Sequence, residues 1–322
     1  MLPGLRILLL LALLFFGALT ASGQDRSPQP VHSLRLGFAS ELMQGVGEND
    51  ARAAMKVWAE SLTKDGSVRA ASDSLVCPGL ECLTEALKAG TVDAVVVPTT
   101  TFLKLRSEVA FNRCVFGTIQ GTITDEYVLV VRADSGFNQI EDLRGHSLFL
   151  WEHYRMCLAT AWLDTLLLEK GQKAVCEHFS LVTKQSKLTK AVLPVFFCKA
   201  DACLVTRKGF QTMSELNPQV GQQLRMLAGS PGFVPSGFFF RAGYPQSEQD
   251  SFVTELTRVH KKPSGQQILT VFQTERLEEH PASVLESAAK LLETHQKLLG
   301  GSNRSEVAAK GNGLGTGKRA EK

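Results

Sequence analysis

Six consecutive residues, Glu152-His153-Tyr154-Arg155-Met156-Cys157, place a carboxylate, an imidazole, a phenol, a guanidinium and a thiol between two apolar stretches. Leu148 to Trp151 reads as a buried strand, and the run from Leu158 to Leu168 has helical period. The six residues therefore sit where a strand hands over to a helix N-terminus, whose free N–H groups attract anions. Arg155 adds a planar fork suited to phosphate, phosphonate or carboxylate, and His153 and Tyr154 can stack on a ligand or hydrogen-bond to it. Glu152 reads as a surface carboxylate. A thiol at a helix start beside a cation has a lowered pKa, so Cys157 supports a competing reading as the nucleophile of a cysteine-dependent enzyme or redox protein. The spacing of His153 and Cys157 fits no compact zinc pattern, and glycine-rich phosphate loops and H-E-x-x-H are absent. Neither a metal nor a cofactor is expected, and no catalytic residue is assigned.

The elements that must hold these groups alternate. "LRLGF" (34–38) reads as a strand, "NDARAAMKVWAESL" (49–62) as a helix, "SVRAAS" (67–72) as a strand, "LECLTEALKAG" as a helix ending at Gly90, and "VDAVVVP" as a strand. That β-α-β-α-β order predicts a parallel sheet flanked by helices. The alternation restarts after the strand at 125–134, and helices return toward the C-terminus, where Val284, Ala288, Leu291, His295 and Leu298 share one face. "TVDAVVVPTTTF" (91–102) and "KADACLVTRKGF" (199–210) match at Asp93/Asp201, Ala94/Ala202, Val97/Val205 and Phe102/Phe210. Ligands of open α/β sheets bind beyond the carboxyl ends of strands. Ser40, Thr99 and Thr100 in one lobe and His153, Tyr154, Arg155 and Thr206 in the other thus form the expected ligand set, facing each other across a hinged cleft. Asp93 and Asp201 are expected to fix the turns that enter their strands.

The ends carry no core. Arg6, an apolar run from Ile7 to Leu19 and small residues before Gln24 read as a cleavable signal peptide (1–23), and no cysteine follows the cleavage site to mark a lipoprotein. Residues 300–322 read as a disordered tail holding a net charge of +3; subtracting that and Arg6 from the chain's +3 leaves about −1 for the folded body. The basic composition therefore does not argue for nucleic acid. Asn303-Arg304-Ser305 is a glycosylation sequon. Of the seven cysteines, Cys77 and Cys82 flank a Pro-Gly turn and are expected to form a disulfide in an exported chain.

In their order, "LRLGF", "ALKAGTVDAVVVP", "EYVLVVRADSGFNQIEDLRGHSLFL", "KADACLV", "PGFVPSGFFFRAG" and "KKPSGQQILTVFQ" make the chain resemble the phosphate/phosphite/phosphonate-binding proteins of ABC transporters. The resemblance spans about 33–298 and implies a type II periplasmic-binding-protein fold, with two α/β lobes, each a mainly parallel sheet flanked by helices, joined by a two-strand hinge. It places residues 32–126 plus 231–299 in lobe 1 and 127–230 in lobe 2. It also implies a monomer that captures a small anionic solute without transforming it. The partner would be a membrane ABC permease or a sensor kinase, and the location the periplasm or the medium. In the family, a Ser/Thr-rich turn follows the strand after "DL-G"; this chain departs from it with Arg155, Met156 and Cys157.

Overall fold

The computed structural model describes residues 33–43, 49–50, 52–53, 56–57, 60 and 74–311, with side chains through residue 301. The segment read as a signal peptide, the strand read at 67–72, much of the helix read at 49–62, the tail beyond 311 and the side chain of the Asn303 sequon lie outside the described residues.

Eleven strands among the described residues form two sheets. The first contains β1 (Leu36–Ala39), β2 (Leu75–Cys77), β3 (Ala94–Pro98), β4 (Phe111–Thr118), β10 (Ser236–Arg241) and β11 (Arg276–Glu279), ordered β11-β4-β10-β3-β1-β2. β1, β2 and β3 run parallel, whereas β10, β4 and β11 pair antiparallel. The second contains β5 (Tyr127–Arg132), β6 (Ser147–Trp151), β7 (Leu181–Gln185), β8 (Ala202–Thr206) and β9 (Leu224–Gly229), ordered β7-β6-β8-β5-β9. Here β6, β7 and β8 are parallel and β5 runs against both of its neighbours.

Local sequence explains the joins. Helix α1 (Leu80–Lys88) buries Leu83, Ala86 and Leu87 along one face, and Gly90 leaves it in the left-handed region at φ 66°. Gly37 lets that helix lie close to β1, because a Cβ there would stand 3.1–3.4 Å from Val92, Val95 and Leu83. Helix α2 (Thr99–Leu105) follows β3 without a loop, α3 (Ala159–Glu169) follows β6, α4 (Leu188–Phe196) follows β7, and α5 (Arg207–Leu216) follows β8. Asp93 and Asp201 occupy equivalent places. Asp93 accepts the backbone N–H of Arg35 at 3.1 Å, and Asp201 that of Ser147 at 2.8 Å, so each aspartate ties the foot of its strand to the start of the parallel neighbour. Cys77 and Cys82 are joined by a disulfide, with Cα atoms 5.6 Å apart.

The chain leaves the first sheet after β4 and returns at β10. The two crossings bind each other where Asp125 and Phe233 exchange backbone hydrogen bonds of 2.8 and 2.9 Å. Helices α6 (Gln246–Arg258) and α7 (Pro263–Val271) then belong to the first lobe. The last helix, α8 (Glu286–Gly311), departs from the sequence reading in two ways. It passes through Gly300 and Gly301 into residues of the expected tail; two glycines cost roughly 2 kcal/mol of helix propensity, and strong helix formers such as Ala308, Ala309 and Lys310 follow them. It also does not stay with lobe 1. Ala288 is fully buried in the core of the second lobe, Leu291 and Leu292 pack against it, and the His295 ring bonds Asp164 of α3 at 2.9 Å. An apolar helix face specifies burial without naming its partner. Among the described residues no helix is long and apolar enough to cross a membrane.

Candidate functional site

The six-residue stretch lies where the lobes meet. His153 is extended and caps a short 3-10 turn, Tyr154–Met156, by accepting the Arg155 N–H on Nδ1 at 3.3 Å. Its ring lies 4.4 Å from both the Trp151 and the Tyr154 rings. Burial, reinforced by the Arg155 charge, holds this imidazole's pKa down at about 4, so it is neutral at neutral pH. Glu152 stays exposed and meets Lys184 at 3.3 Å.

Tyr154 and Arg155 reach into the other lobe. The Tyr154 hydroxyl donates to the Phe272 carbonyl at 3.0 Å, and its ring joins the first lobe's core. Arg155 is 8% exposed; one terminal nitrogen donates to Asp125 Oδ2 at 2.9 Å and the other to the Gln273 carbonyl at 2.8 Å. Asp125, 2% exposed, sits in the crossing strand, so this ion pair locks the second lobe to the hinge. Arg155 Nε is buried with no hydrogen-bond partner among the described residues. The crossing is held from the far side too, where Lys208 of α5 donates to the Ile119 carbonyl, the Thr122 hydroxyl and the Thr124 carbonyl at 2.8, 2.8 and 3.2 Å.

The threonines take different parts. Thr99 is fully buried, its hydroxyl donating to the Val234 carbonyl at 2.6 Å and its N–H to the Pro235 carbonyl at 2.9 Å. Thr206 caps α5, its hydroxyl accepting the Gly209 N–H at 3.1 Å. Both hydroxyls are committed to the fold. Thr100 is half-buried, its amide and hydroxyl facing the Cys157 sulfur, and Ser40 begins a half-buried 3-10 turn after β1. Cys157 donates its thiol hydrogen to the Pro235 carbonyl at 3.3 Å, and burial pushes its pKa up to about 11. The lowered pKa expected for a nucleophile is therefore reversed: the Cys157 surroundings desolvate the thiolate more than nearby amides stabilise it.

Sequence reasoning missed Asp125, Phe272 and Gln273, and it missed a cavity of about 110 Å³ inside the first lobe. Its floor is one face of the first sheet, where register sets Phe38 beside Val96, Val96 beside Phe238 and Phe238 beside Val115. Leu256, Ile268 and Leu269 roof it, and Tyr154 and Arg155 line it from the second lobe. The only available signal for Asp125 was an acid just ahead of the apolar strand "YVLVV".

Two mixed α/β sheets joined by paired crossings, with facing strand ends between them, define a type II periplasmic-binding-protein fold. Residues 50–284 match the family described as the phosphonate periplasmic substrate-binding protein of ABC transporters, and the chain belongs to that family. Solved structures agree in fold. A Xanthomonas citri protein bound to chloride ion is similar at 15% identity and a TM-score of 0.60, covering 83% of this chain and 98% of that one. PhnD1 from Prochlorococcus marinus, in complex with methylphosphonate, is similar at 13% identity and 0.58, covering 82% and 98%. A binding protein component of an ABC phosphonate transporter from Pseudomonas aeruginosa is similar at 11% and 0.57, covering 83% and 87%. No curated protein matches the chain.

Proposed function

We propose that this chain is an exported solute-binding protein that takes a small anionic ligand between its lobes and delivers it to the membrane permease of an ABC transporter, performing no chemistry. The observation that carries this reading is the buried Arg155 guanidinium at the lobe junction, with its Nε unpartnered. A buried donor left without an acceptor costs about 1–3 kcal/mol, and an oxygen of a phosphonate, phosphate or carboxylate would relieve it. Because Asp125 already balances the arginine, an incoming anion also meets a carboxylate, which favours ligands of single over double charge. Ser40, Thr100 and Tyr154 would complete the contact, while the His153 ring and the hydroxyls of Thr99 and Thr206 hold the frame.

A thermal-shift panel of phosphate, phosphite, methylphosphonate, sulfonates and dicarboxylates tests this. A true ligand at a hundred times its Kd stabilises by about 2.7 kcal/mol. A panel in which no small anion moves the melting temperature overturns the reading.

A further inference from the structure

We infer that the ligand carries an apolar tail, a short alkyl chain of roughly four carbons, which seats in the first-lobe cavity while its anionic head meets Arg155. The inference rests on the preceding reading of Arg155 and adds the other half of the molecule. Three observations on the same space support it. The floor is a continuous apolar band contributed by adjacent strands through Phe38, Val96, Phe238 and Val115, and the facing wall, with Leu256, Ile268, Leu269 and Phe272, is apolar too. Protein interiors are close-packed, and apolar walls favour an apolar guest over water. Arg155, whose Nε is unpartnered, and Tyr154 line that same space, so a molecule with a charged end and an apolar end finds both environments there.

Size narrows the class. At about 110 Å³ the cavity is smaller than the ~150 Å³ that accommodates benzene, and at ~30 Å³ per water-sized group it holds roughly four carbons in a row. A linear alkyl group therefore fits better than an aromatic ring.

Calorimetric titration of the full chain with n-alkylphosphonates, from methyl to hexyl, tests the inference. Affinity should rise about fourfold for each added methylene up to butyl and then level off, following the transfer free energy of a buried CH₂. The Val96→Phe variant should flatten that rise with chain length. If that variant does not fold, Leu269→Phe fills the same space from the helix side. Methylphosphonate binding that is indifferent to chain length overturns the tail and leaves the Arg155 reading standing. No binding by any member of the series overturns both.

Discussion

Each lobe begins its central parallel strand with the same device, an aspartate that fastens the opening N–H of the neighbouring strand, Asp93 on Arg35 and Asp201 on Ser147. Above that shared foot the lobes differ. The second sheet is packed on both faces: Tyr127, Leu129 and Val131 enter one apolar cluster, and Val128 and Val130 enter another. The first sheet keeps a cavity on one face. The second lobe supplies the tightly held reaching groups Tyr154 and Arg155, and the first lobe supplies room. One repeated frame thus carries two functions, separated by how completely each sheet face is filled.

The largest expected effect comes from the contact that joins the halves. Arg155→Ala leaves Asp125 buried and uncompensated, and should remove about 3–5 kcal/mol of unfolding free energy, read from urea denaturation. A loss below about 1 kcal/mol would mean that water reaches Asp125 and that the lobes are not locked there.

His153 comes next. Its native pKa of about 4 lies below the ordinary 6.5, so at intermediate pH the unfolded chain binds the proton and the folded chain does not. This contribution is intact above pH 6.5 and is lost as pH falls toward 4, up to roughly 3 kcal/mol at 1.36 kcal/mol per pH unit. Wild type and His153→Phe should therefore diverge in the pH dependence of their urea midpoints across that window; parallel curves would show that the imidazole is not buried neutral.

The smallest effect tests the filling itself. Val205 is fully buried in the second lobe, so Val205→Phe should overpack it at a cost of about 1–3 kcal/mol, whereas Val96→Leu on the cavity wall should stay within about 0.5 kcal/mol of wild type. Equal penalties in thermal melts would erase the contrast between the lobes.

Much of the frame is legible in the sequence because periodicity and strand-end residues are local. β3 and β8, the break into helix after each, and the paired aspartates can be read from twelve-residue stretches. The site is less legible because its decisive partners are distant. Arg155 is recognisable as a cation at a helix start, but its acceptors, Asp125 and Gln273, lie 30 and 118 residues away in sequence. Cys157 shows the same limit: its local sequence argues for an activated thiol, and the enclosure that reverses this involves Pro235, 78 residues away. The cavity has no sequence signature, since volume left unfilled belongs to packing and not to any residue.

The placement of α8 bears on how the gene can be divided. The five strands of the second sheet, β5 to β9, follow one another in the chain between β4 and β10 of the first sheet and look excisable. A fragment so cut would lack the helix that covers α3, exposing the surface that receives Ala288, Leu291 and Leu292 and leaving Asp164 without His295. The second lobe is an insertion that depends on a downstream segment for its outer wall, so a stop codon ahead of residue 286 strikes the lobe encoded far upstream of it.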